Sequence, residues 1–136
     1  MSKSNSFETE VLEHVFQAID FPWNSNTHLY VSLHTADPGE AGTQQTSEAT
    51  YTSYARVAVI RSAVGWTVSG NQATNAALIQ FDQCTGGTNT ITHVGIGLSA
   101  SGAGNLLYKG ILNSALAVAN LIQPQFAPGA LQIGED

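Results

Sequence analysis

Two hydrophobic rhythms divide the chain. Over residues 7 to 19, FETEVLEHVFQAI, the residues Phe7, Val11, Leu12, Val15, Phe16 and Ile19 recur at i, i+4, i+5, i+8, i+9 and i+12. That spacing draws one apolar stripe along a helix. Ser6 stands where an N-cap is needed, and Glu8 and Glu10 complement the positive end of the helix dipole. Pro22 stops the segment, because it disfavours helical geometry at Phe21.

Beyond residue 27 the period falls to two. HLYVSLH (28–34) sets Leu29, Val31 and Leu33 against His28, Tyr30, Ser32 and His34. A polar loop of residues 35 to 52 follows. Further strands are read at YARVAVIR (54–61), GWTVSG (65–70), AALIQF (76–81) and TITHVGIGLS (90–99), with a turn at QCTGGTN (83–89). After ASGAGN (100–105) come LLYKGIL (106–112) and SALAVANLI (114–122). APG (127–129) turns into ALQI (130–133). The stretch ILNSALAVANLI has the Ala and Leu content of a helix, but strand signals flank it closely, so it is read as strand. The pattern predicts an all-β fold: an antiparallel jelly roll or β-sandwich of about eight strands, with one N-terminal helix. The length favours one domain over 1–136, with helix and arm at 1–24 and the sandwich at 27–134. Its folded surface should be about 6,800 Å². The closing GED is expected to fray.

Charge changes the picture most. Only 10% of the residues are charged, and the net charge is −6. An average soluble protein carries about 25%. Such a surface tolerates burial against other protein. Lys3, Arg56, Arg61 and Lys109 are the four cations and do not cluster, which argues against a nucleic-acid partner. No apolar run approaches the length of a membrane span, and MSKSNSFETE has no signal-peptide core. The expectation is a soluble product made in the cytosol.

Candidate chemistry is thin. VSLHTADPGEAG (31–42) offers His34, Asp37 and Glu40. His28 and His34 share a strand face but lie about 20 Å apart, so they cannot hold one ion together. His34 and Asp37 could meet across the turn. The simpler account is a turn opened by Asp37, with Pro38 at i+1 and Gly39 at i+2. Cys84 has no base near it in sequence and suits a small apolar filler. Asp37, Glu40, Glu48 and Asp82 show no acid/base spacing. GIGLSASGAG (95–104) is glycine-rich but precedes a strand, so it fails the context test for a dinucleotide loop. Trp66 with Asn71 is the only pair suggesting sugar binding. No catalytic, cofactor or metal residue is assigned, and no enzyme is expected. Phe7, Phe16, Phe21 and Trp23 cap the core or reach a partner.

The block LYVSLHTADPGEAGTQQTSEATYTSYARVAV, with THVGIGLSASGAGNLLYKGIL after it, resembles a family of small tailed-phage virion proteins. Its marks are VSLHTADPG, Tyr54-Ala55-Arg56, THVGIG at Thr92 to Gly97, and an FxxG element at Phe126 to Gly129. Ala130 departs from the pattern, which favours an acidic residue there. Members include tail-fibre proteins and jelly-roll capsid cement (decoration) proteins, such as that of a Bordetella phage. The resemblance implies a cement protein on the capsid exterior of the virion. It would be a dimer that binds the major capsid protein of an HK97-type shell and clamps neighbouring capsomers. A tail or fibre subunit, or a small carbohydrate-binding jelly roll, is the alternative. Partner contacts are expected at Phe7, Phe21 and Trp23, and in the loop of residues 35 to 50 at Gln44, Gln45 and Thr46.

Overall fold

The computed structural model describes residues 1–135. It is an antiparallel all-β sandwich with one helix. The order is β1 (Ser2–Lys3), α1 (Asn5–Gln17), β2 (His28–His34), β3 (Val57–Ile60), β4 (Trp66–Ser69), β5 (Gln72–Asn75), β6 (Ile79–Gln80), β7 (Asn89–Gly97), β8 (Leu106–Val118), β9 (Gln125–Phe126) and β10 (Gln132–Gly134). Five strands form the main sheet, in the order β1-β8-β7-β2-β3. A second sheet runs β10-β5-β4, and β6 pairs with β9. Period two explains the core: Val31 and Leu33 of β2 and Val94 and Ile96 of β7 face Ile79, Phe81, Leu131 and Ile133 of the smaller sheets. The accessible surface, 7155 Å², lies close to the scaling expectation.

Five details differ from the sequence reading. The helix starts earlier, because Ser4 is its N-cap and accepts from the Phe7 amide at 3.3 Å. Ser4 is placed there by the sheet: its amide donates to Leu107 O at 2.9 Å and its hydroxyl to Leu106 O. The helix also ends before Pro22 can act. Ala18 adopts φ 56°, and the Ile19 amide reaches back to Glu13 O at 3.3 Å, a left-handed C-terminal cap.

The two strands read across 106–122 are one strand, β8, carrying a bulge. Ile91 pairs with Leu116 and His93 with Ile111, so Leu112 to Ala115 bulge opposite Thr92. The short strands β1, β5 and β9 escaped the pattern. Of these, β5 could have been found: Gly70-Asn71 is a two-residue hairpin loop joining Ser69 to its partner Gln72, with Gly70 at φ 59°. Finally, Gly134 and Glu135 are tied down. Gly134 pairs with Gln72, and Glu135 binds Lys3 at 2.6 Å. Asp136, the last residue of the segment expected to fray, lies outside the described residues.

Candidate functional site

The polar residues singled out by sequence do converge, on the loop between β2 and β3. There they hold the loop down, and Asp37 also lines a cavity with His93 and Lys109. His34 is fully buried. Its Nδ1 lies 2.8 Å from Thr46 O and its Nε2 2.8 Å from Ser32 Oγ. A carbonyl can only accept, so Nδ1 carries the proton and Nε2 accepts from the Ser32 hydroxyl. Burial holds the His34 pKa below its ordinary 6.5, against the opposing pull of the Thr46 bond and Glu48, so the ring is neutral at pH 7. Both nitrogens are occupied, and Asp37 is committed elsewhere. Asp37 Oδ1 accepts from the Gly39 amide at 2.9 Å and lies 3.1 Å from Lys109 Nζ. Those two partners lower its pKa, the Gly39 bond contributing most. Gly39 has φ 76°, as the third position of an Asp-Pro-Gly turn requires.

Glu48 and Arg56 close the loop. Arg56 Nε lies 2.6 Å from Glu48 Oε1, and Nη2 lies 2.8 Å from Oε2, a two-pronged pair. The guanidinium also donates to Ser99 O at 2.9 Å and Gly102 O at 2.5 Å, tying the 100–105 turn to the loop. Tyr54 completes the set. Its hydroxyl donates to Glu48 Oε1 at 2.9 Å and accepts from the Leu33 amide at 3.1 Å. Burial pushes the Tyr54 pKa far above its ordinary range, so it stays a donor. The Tyr54-Ala55-Arg56 mark is therefore the fastener of the long loop.

Gln44 corrects an expectation. Put forward as a partner contact, it is fully buried. Its carbonyl accepts from the Ser99 amide at 2.9 Å, and its amide donates to Tyr30 O at 3.5 Å. The glycines of THVGIGLSASGAG make room for it: a Cβ on Gly97 would sit 2.2 Å from Gln44 Cδ, and one on Gly104 2.3 Å from Gln44 Oε1. Gln45 and Thr46 stay exposed.

Phe7 is a second correction. It is 7% exposed, with its ring 5.3 Å from Tyr108, 5.8 Å from Trp23 and 6.0 Å from Phe21. Phe21 and Trp23 are half-buried over it and stack at 4.9 Å. The Trp23 indole donates to Glu10 at 2.7 Å, and the Arg61 guanidinium lies 4.8 Å over its ring. What the sequence reading left unassigned is the rest of the stripe apart from Phe16. Leu12, Val15, Phe16 and Ile19 are 58%, 64%, 79% and 46% exposed. A signal existed: the helical stripe is longer than one capping ring needs.

The remaining candidates are structural. Cys84 is fully buried. Trp66 packs against the core and lines one cavity together with Asn71, whose amide donates to Glu135 O at 2.7 Å. Among the described residues no three His, Cys, Asp or Glu side chains form a metal-holding group. No helix among them is long and apolar enough to cross a membrane.

The chain is an all-β sandwich whose long β2–β3 loop is fastened by Glu48, Tyr54 and Arg56. The family described as Podophage GP4 fiber I protein gp80 matches residues 2–134. The chain belongs to that family and is a phage structural protein of the virion. No curated protein matches it.

Proposed function

We propose that the chain is a fibre-associated structural subunit that works by surface contact and performs no catalysis. The observation that carries this is the fate of its reactive side chains. His34, Glu48, Tyr54, Arg56 and Cys84 are buried or paired inside, and the exposed remainder is apolar, uncharged or made of separate carboxylates such as Glu8, Asp20 and Glu40. The fibre description of the family supports the assignment. Such a subunit stabilises an assembly by binding its assembled state, and repetition over symmetric sites multiplies a modest contact. Self-pairing is part of the proposal. The strand β3 ends the main sheet, and its sequence VAVI has no charge or proline to block edge pairing with a second copy.

The second reading is a cement protein on the capsid exterior, bound to the major capsid protein. The motif resemblance at VSLHTADPG and THVGIG favours it. Immunogold labelling of intact virions separates the two. Label on the fibres is the expected result. Label confined to the head would overturn the fibre assignment in favour of cement, and virions without label would remove both.

A further inference from the structure

We infer that the exposed stripe of α1 docks into an apolar groove rimmed by lysine and arginine on a different virion protein. Leu12, Val15 and Phe16 lie at i, i+3 and i+4 and share one side of the helix, and the exposed Ile19 follows one residue past its cap. They are the longest run of exposed large hydrophobics in the chain. A contiguous apolar patch of this kind marks an interaction surface. The helix is also set rigidly: Ser4 pins its start to β8, Phe7 packs on Tyr108, and Glu10 holds Trp23. A pre-ordered ridge loses little freedom on docking.

Charge decides the occupant. Glu8 and Glu13 on the helix and Asp20 just past it are the charges nearest the stripe in sequence, and no lysine or arginine occurs between Lys3 and Arg56. A complementary partner must bring cations. A second copy has none to spare. Lys3 binds Glu135 at 2.6 Å, Lys109 lies 3.1 Å from Asp37, and Arg56 lies 2.6 Å from Glu48. Arg61 is held over Trp23 at 4.8 Å and donates to Asn24 O at 3.0 Å. Two copies meeting through α1 would set acidic rims against each other. The occupant is therefore another protein, reached through the helix while β3 remains free for self-pairing.

The inference rests on the virion-surface reading, and its test is arranged to fail separately. A photo-crosslinking phenylalanine analogue at position 16, in full-length chain incorporated into virions, should yield one major adduct. The expected adduct is to a different polypeptide, at a segment bearing lysine or arginine beside apolar residues. Phe16→Glu should lower incorporation at least tenfold, while sedimentation of the purified chain across concentrations stays unchanged. An adduct to a second copy, a neutral or acidic adduct site, or a Phe16→Glu variant that incorporates normally would overturn the proposal. Loss of self-association in that variant would overturn it too. Wild-type label on the fibres together with any of these results would leave the fibre assignment standing.

Discussion

The loop between β2 and β3 and the helix α1 reverse the usual relation between polarity and exposure. The loop is written in Thr, Gln, Ser and Glu, yet Gln44 is fully buried and Glu48 nearly so, and His34, at the end of β2 that the loop covers, is fully buried too. The helix carries apolar side chains, yet three of them face outward, with Ile19 exposed just past its end. Polar groups can be buried where every donor and acceptor finds a partner, as around Arg56. Apolar groups stay outside where the core is already filled and another surface will cover them. The loop thus tells how the fold is fastened, and the helix carries the surface on which the proposed neighbour would sit.

The comparison can be broken most sharply at Arg56. Replacing Arg56 with Met should cost roughly 3–5 kcal/mol, because Glu48 is left as an uncompensated buried charge. Urea unfolding measures this, and a loss under about 1 kcal/mol would mean the pair behaves as a surface one. Phe7→Ala should cost about 3 kcal/mol, whereas Phe16→Ala, on the same helix, should stay within about 0.5 kcal/mol. Equal losses at the two positions would erase the contrast between anchored and outward faces. Gly97→Ala comes next, at about 1–3 kcal/mol, since the added methyl overlaps Gln44 and the Asn105 carbonyl.

The smallest effect is the pH dependence of His34. Its folded pKa lies below the ordinary 6.5, so the unfolded chain binds the extra proton first as pH falls. The stabilising contribution is full above 6.5 and is lost as pH drops from there through the folded value. Unfolding measured above and well below that pH should show the decline, and His34→Asn should flatten it. A wild-type curve as flat as the variant's would contradict the buried neutral ring.

Most of the architecture could be read from period two and the turn residues. The fold class, β2, β7 and the Asp-Pro-Gly turn all follow from local chemistry. What stayed hidden depends on pairing across the chain. The strand β1 exists because Ser2 and Lys3 find Lys109 and Tyr108, more than a hundred residues away. The bulge at Leu112 to Ala115 depends on where β7 places Ile91 and His93. For the contact surface, sequence could group the aromatics near the N-terminus, but not show that Phe7 turns inward and Phe16 outward. Gln44 was misjudged because burial of an amide depends on the Ser99 amide and the two glycines that receive it.

The seat of α1 has a consequence for the order of synthesis. Ser4 and Phe7 are held by Leu106, Leu107 and Tyr108, which leave the ribosome about a hundred residues later. At bacterial elongation rates that delay is roughly 5–20 s. Throughout it, Phe7, Phe21 and Trp23 have no sheet to cover them, and the outward stripe has no neighbour. The nascent helix is therefore the segment most exposed to premature association during production, and β8 is the strand whose arrival ends that period.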